Sequence, residues 1–404
     1  MSLDRVVVIN DLSQAKGGAT GLALLSARAL GQADLDVTYV CGDAGHEDAT
    51  GDAQVVAAGS AGLLQRGRVS ALTSGIYNSA TRDMLRDVIA RTDTPGTVYH
   101  VHGWAQILSP SIFDALAPVA ARTLIHAHDM FLACPNGVYM DYPHNEVCDR
   151  VPLSAACLLT HCDKRSRLHK TWRVFRQRAL RRALRQDLPW GGIIPIHPDM
   201  IPRLMRAGYE HELFHVIRNP AAPFSTTRIE AENNTRFAYV GRLERDKGAL
   251  DFARAVTRVG VPAVLVGDGV LRAEIERDFP HIPITGWQDR DAIGTHLQDA
   301  RALVMPSRHP EPFALVLPEA ILSGLPVAVA ETALMAREIA EGGFGQSFNL
   351  FDPNSFDAAL CTLRDMSPEQ TEEMSRRGHA AVGQLAHSTH SWADALIERY
   401  RELV

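Results

Sequence analysis

The sequence has no run of apolar residues approaching the ~18 needed to cross a bilayer, so no membrane-spanning helix is expected. Its opening carries Asp4 and Arg5 ahead of only four apolar residues, Val6, Val7, Val8 and Ile9. That is too short for the apolar core of a secretion signal, and a cytoplasmic protein is expected. Cysteine is scarce, with six in 404 residues. In a cytoplasmic protein such residues are thiols or metal ligands rather than disulfides. Charge of one sign is not in excess: 41 Lys and Arg face 47 Asp and Glu, a net charge of -6. This argues against a general nucleic-acid binder.

Several site patterns are missing as well. The first strand, residues 6–9, runs into a polar loop (10–16) before Gly17-Gly18-Ala19. A dinucleotide fold needs Gly-x-Gly-x-x-Gly directly at the strand end. Four cysteines (Cys134, Cys148, Cys157 and Cys162) share one loop-like segment, with thirteen, eight and four residues between them. A compact zinc motif begins with Cys-x2-4-Cys. Buried thiols are therefore the expectation, with a structural zinc as the alternative. Asp34-Leu35-Asp36 precedes a strand and Asp289-Arg290-Asp291 opens a helix, so neither Asp-x-Asp sits where it could hold a divalent cation on a diphosphate. No metal and no cofactor are expected.

What the chain does have is length for two domains of roughly 200 residues each. Its 46% apolar and 22% charged composition is that of a soluble globular protein. Apolar runs at 6–9, 35–40, 97–101, 123–127 and 192–196 alternate with helical patterns, which implies a parallel sheet. Two of these runs end in paired histidines, His100 with His102 and His126 with His128, and residues two apart on a strand share a face. Residues 219–234 are polar and aperiodic, a linker between domains spanning 1–218 and 235–387.

The second domain carries three dense stretches. Gly241-Arg242 is followed by Lys247-Gly248 after a strand, a loop able to hold a diphosphate. Gly267-Asp268-Gly269 makes the next strand-end turn, and Gly286-Trp287 a later one. Residues 304–324 then run from a strand through a proline-rich turn into a helix, with Glu311 and Glu319 flanking the junction. The helix is expected to open at Pro318, because proline is tolerated in a first turn. Helix N-termini at the strand ends of an α/β sheet suit phosphate.

Together these stretches resemble the retaining glycosyltransferases of family 4, the group 1 glycosyl transferases with the GT-B fold. The resemblance implies two Rossmann-like domains, with a final helix (388–404) that returns to the first. It implies a nucleotide-diphosphate sugar, UDP- or GDP-linked, and a hydroxyl acceptor. On that basis Arg242 and Lys247 stabilise the departing diphosphate, Glu311 orients donor-sugar hydroxyls and Glu319 the ribose. His128 holds the donor sugar. Gly18, Gly267, Trp287, Phe313, Ala314 and Leu315 line the donor, while Gly17, His102 and Asp129 lie on the acceptor side. Two departures stand out: Ala314 occupies a position usually held by glycine, and residues 330–334 lack the family's glycine pair. A nucleotide-sugar epimerase of the same fold, and a non-catalytic sugar-nucleotide binder, share these features.

The last feature is a basic helix over 164–185, with ten cations and no acid. Leu168, Trp172, Phe175, Ala179 and Ala183 recur at helical spacing and form its expected docking stripe. The excess charge suits a lipid-diphosphate acceptor or peripheral contact with an anionic membrane.

Overall fold

The computed structural model describes residues 2–15, 17–46, 50–62 and 72–404. Lys16, the last residue of the polar loop, lies outside them. The chain divides into two compact units. The first comprises residues 1–143, 149–219 and 389–404, the second 144–148 and 220–388.

Unit one is built on six parallel strands: β1 (Arg5–Asn10), β2 (Asp36–Cys41), β3 (Gln54–Ala57), β4 (Thr97–Val101), β5 (Thr123–Ala127) and β6 (Gly192–Pro195). Their spatial order is β3-β2-β1-β4-β5-β6. Val6, Val7, Val8 and Ile9 of the central strand are all buried, because helices cover both faces of the sheet. A continuous apolar run, rather than an alternating one, is the sequence mark of that position. Helix α1 (Gly18–Gln32) packs Leu22, Ala23, Ala27 and Leu30 into the same core. The C-terminal helix, Thr389–Arg401, adds Trp392, Leu396, Ile397 and Tyr400 to it.

The basic helix, α2, spans Arg167–Ala183 and is capped by Ser166, whose side chain accepts from the His169 N–H. Its docked face keeps Ala183 of the expected apolar stripe but not its N-terminal part. Leu168 is 82% exposed and Phe175 52%, whereas Lys170, Val174, Arg176, Gln177 and Leu180 are buried. The reason is that the polar side chains on that face are satisfied inside. Gln177 donates to the Leu132 carbonyl at 2.8 Å. Arg176 donates to the Ala105 carbonyl at 2.8 Å and lies 4.8 Å from the Phe131 ring centroid and 5.1 Å from that of Trp172. Hydrophobic periodicity ranks arginine and lysine as surface residues and so selects the wrong face.

Unit two holds five parallel strands: β7 (Arg236–Val240), β8 (Ala263–Val266), β9 (Ala300–Met305), β10 (Val327–Ala330) and β11 (Gly345–Phe348). Their order is β8-β7-β9-β10-β11. Two glycines let the loops at the strand ends come together. At Gly267 (φ +148°) a Cβ would sit 1.9 Å from the Gly241 carbonyl oxygen, and at Gly248 (φ +74°) 1.8 Å from that of Pro306. Only glycine fits either place. The helix expected at Pro318 starts earlier, as α3 (Val316–Leu322). Pro318 is its third residue, still within the first turn, where N–H groups lack intrahelical partners.

Candidate functional site

The polar centre of unit two lies where β7 and β9 end. Lys247, in the turn after β7, forms a short hydrogen-bonded ion pair with Glu311 in the turn after β9. Glu311 gathers further partners from its own turn: Ser307 Oγ donates to Oε1 at 3.1 Å, and His309 Nε2 lies 3.2 Å from Oε2. Burial alone would raise this carboxyl. His309 and Lys247, through their charges and hydrogen bonds, outweigh burial and hold it well below the usual carboxylate range. Glu311 is therefore a fixed anion with a preset orientation.

Arg242 leaves the same strand end as Lys247 and remains exposed, its guanidinium 2.6 Å from Glu244. Both cations thus face a carboxylate, Lys247 in a largely buried pair and Arg242 in a pair that leaves its side chain exposed to solvent. Glu319 faces Arg290, whose Nη1 donates to Oε1 at 2.5 Å. Burial raises the Glu319 carboxyl and Arg290 opposes that shift. Arg290 is itself held by the Ala222 and Pro223 carbonyls and lies over the Phe224 ring. Phe313 is buried beside Ala314 and Leu315 at the entry to α3, whereas Trp287 is 79% exposed after Gly286. Gly267 belongs to the turn that closes on Gly241.

In unit one, Gly17 (φ +138°) caps α1 and Gly18 begins it, with open space where a Gly17 Cβ would be. The four strand-end histidines form a stacked ladder, with centroids 4.1 Å apart for His100 and His102 and 4.2 Å for His126 and His128. Burial holds all four neutral, bringing His100 and His128 down to about 3. His100 Nδ1 meets the Tyr400 hydroxyl at 2.6 Å, and His126 Nδ1 meets His100 Nε2 at 3.1 Å.

The other branch has a definite direction. Ser26 spends its only hydroxyl proton on the Ala23 carbonyl, at 2.8 Å, so its oxygen must accept from His102 Nε2, at 3.3 Å. A neutral His102 then has a bare Nδ1, which accepts from His128 Nε2–H at 2.9 Å. His128 is left with Nδ1 as a lone-pair acceptor, buried and without a hydrogen-bond partner among the described residues. Such an atom can take a hydrogen bond from a hydroxyl and give none. Beside it, Asp129 accepts the Phe131 N–H at 2.8 Å, and burial pushes its carboxyl up to about 6.

Sequence reasoning missed His309, Ser307, Arg290, Ser26 and Asp11. The buried carboxylate of Asp11 accepts three N–H groups, from Gln106, Ile107 and Leu108, at 2.8–2.9 Å. His309 had a signal, two residues before Glu311 in the same turn. Ser26 had none, since a serine inside an apolar helix carries no mark of its distant partner.

Two parallel-sheet α/β units, one with paired cations and carboxylates at its strand ends, define the architecture of the GT-B proteins. Residues 234–365 match the family model described as glycosyl transferases group 1. That segment is about a third of the chain, and the whole chain has the GT-B fold. It is 35% identical over 109 residues to a GDP-mannose-dependent phosphatidylinositol dimannoside mannosyltransferase of Mycobacterium tuberculosis, covering 25% of this chain and 28% of the relative. The matched parts amount to about a third of the length of the first curated relatives. Sucrose-phosphate synthase from Thermosynechococcus elongatus shares the fold over 99% of each chain, with a TM-score of 0.71 and 15% identity. The Anabaena protein HepE, solved with UDP, does so over 99% of this chain and 100% of its own, with a TM-score of 0.66 and 16% identity.

Proposed function

We propose that this protein is a retaining, metal-independent glycosyltransferase that moves a sugar from a UDP- or GDP-sugar to a hydroxyl acceptor. The observation that carries the reading is the pairing of Lys247 with Glu311, whose carboxyl is held well below its usual range, beside an exposed Arg242, within the segment matched to the family. In the reaction we assign, the acceptor hydroxyl approaches the face from which the diphosphate departs, and a leaving phosphate oxygen takes its proton. Arg242 and Lys247 stabilise the charge that grows on that oxygen. Glu311 orients sugar hydroxyls, Glu319 the ribose, and His128 Nδ1 accepts from a donor-sugar hydroxyl.

For the acceptor we favour a lipid-linked hydroxyl. Leu168 and Phe175 are exposed along α2, Trp172 is half-buried between them, and the exposed Arg167, Arg178 and Arg182 flank them. An apolar stripe bordered by cations suits an anionic lipid surface. The mycobacterial relative's name includes phosphatidylinositol dimannoside, a glycolipid. No helix among the described residues is long and apolar enough to cross a membrane, so contact would be peripheral. The test is a donor screen with UDP- and GDP-sugars in EDTA, scored for nucleotide diphosphate release with and without lipid acceptors. Release that depends on added magnesium or manganese would refute the metal-free mechanism.

A further inference from the structure

Lys170 is a buried cation (4% exposed) whose hydrogen-bond partners are sulfur atoms. Its ammonium lies 3.0 Å from Cys162 Sγ and 3.5 Å from Cys157 Sγ. The neighbouring carboxylate, Asp163, is engaged by Arg173 at 2.9 Å. A buried ammonium needs a counter-charge, since desolvation otherwise drives it neutral. Burial would lower the Lys170 pKa, but Cys162 and the thiols around it outweigh burial and raise it, so the ammonium persists.

The Cys162 sulfur is surrounded by donors in turn. Besides Lys170 it faces Asn136 Nδ2 at 3.7 Å, and the Asn136 carbonyl oxygen is occupied by Cys134 Sγ and the Val138 N–H. A sulfur that accepts from an ammonium and an amide is in the setting that stabilises a thiolate. Cys134, equally buried, serves as a contrast: burial pushes it up to about 11, and its sulfur donates instead. Cys157 lies in a short Ser154-capped helix (Ala155–Leu159) and Cys162 three residues beyond it, and both sulfurs lie within 3.5 Å of the same ammonium, close enough for a local movement to join them.

We propose that Cys162 and Cys157 form a peroxide-reactive thiol pair activated by Lys170. The Cys162 thiolate attacks a peroxide oxygen: an S–O bond forms, the O–O bond breaks, and hydroxide leaves and is protonated to water. Sulfur is oxidised by two electrons and the peroxide reduced. The Cys157 thiol then attacks the sulfenic sulfur, forming the S–S bond and releasing the oxygen as a second water. The pair has lost two hydrogens, and Lys170 has lost its counter-charge, so the docking of α2 should weaken until a thiol reductant restores it.

Hydrogen peroxide at micromolar to millimolar levels, applied to the full chain, tests this by peptide mapping. Cys162 should react at least tenfold faster than Cys134 in the same molecules, and the product should join Cys157 to Cys162 and revert with dithiothreitol. This comparison needs no variant. Lys170→Met should slow the reaction at Cys162 by tenfold or more, and Lys170→Arg should restore most of the rate. Equal reactivity of Cys162 and Cys134, oxidation confined to Cys361, or Cys162 ending as sulfinic acid without a link to Cys157 would each overturn the proposal. So would a stoichiometric zinc ion released from these thiols.

Discussion

Single residues carry the chemistry, and their loss should be felt selectively. On the proposed reading, removing Lys247 takes away leaving-group stabilisation, and it leaves Glu311 as a buried anion with one cation fewer. Lys247→Ala should lower kcat/KM by roughly 10²-fold or more. Arg242→Ala should show a similar loss with unchanged thermal stability, because that side chain is exposed. Wild-type kinetics in both folded variants would sink the diphosphate assignment. Ser26 acts at a greater remove. In Ser26→Ala, His102 loses the acceptor that fixes its tautomer, and the proton on His128 is free to move to Nδ1. Imidazole nitrogen NMR should show a protonated Nε2 on His128 in the wild type and a mixture in the variant, with kcat falling more than KM rises. Ser26→Thr, which keeps the hydroxyl, should recover both.

At the scale of the element, α2 turns a mixed polar and apolar face inward and leaves Leu168 and Phe175 outside among exposed arginines. Leu168→Ser removes little buried surface and should leave stability within about 0.5 kcal/mol, and Phe175→Ser, at a half-exposed position, should cost less than a core substitution. They should weaken sedimentation with anionic liposomes, as should Arg167, Arg178 and Arg182 replaced together by Gln. Added salt should release the wild type, since exposed cations are screened over a Debye length. Wild type and variants partitioning alike onto anionic and neutral vesicles would point to a soluble acceptor. The C-terminal helix is the opposite case. Trp392 is fully buried, so Trp392→Ala should cost about 3–5 kcal/mol in urea unfolding.

Acid should unfold the whole molecule, with a sign set by its buried groups. The four ladder histidines have pKa values below the ordinary 6.5 when folded. Below pH 6.5 the unfolded chain binds protons that the folded one refuses, so stability falls as pH drops. The slope is up to about 1.4 kcal/mol per pH unit for each proton. Glu311, with its folded pKa depressed, adds to this below the ordinary carboxylate value of 4.5. Asp129 acts oppositely: between 3.8 and about 6 the folded state binds the extra proton, so its contribution falls as pH rises. Asp11 and Glu319, whose carboxyls burial also raises, act with it, but the four histidines outnumber these three carboxyls, and the urea midpoint should decline from pH 7 to pH 4.5. A flat profile over that range would mean that the ladder is protonated in the folded protein.

The sequence by itself determined the layered architecture and which residues of unit two gather at the ends of β7 and β9. Continuous apolar strands, helical periods between them and glycines at strand ends are local patterns, and the strand ends must converge once a parallel sheet forms. Lys247, Glu311 and Arg242 could therefore be read as neighbours from their places after β7 and β9. Only the tertiary structure decided which face of α2 is buried, because hydrophobic patterning cannot foresee that Arg176 and Lys170 find carbonyl, aromatic and sulfur partners from other segments. Only the fold, likewise, joined Ser26 to His128 through His102, and Lys170 to Cys162 and Cys157. Hydrogen bonds are directional and indifferent to separation along the chain, so partners brought together by packing leave no periodic trace in the sequence.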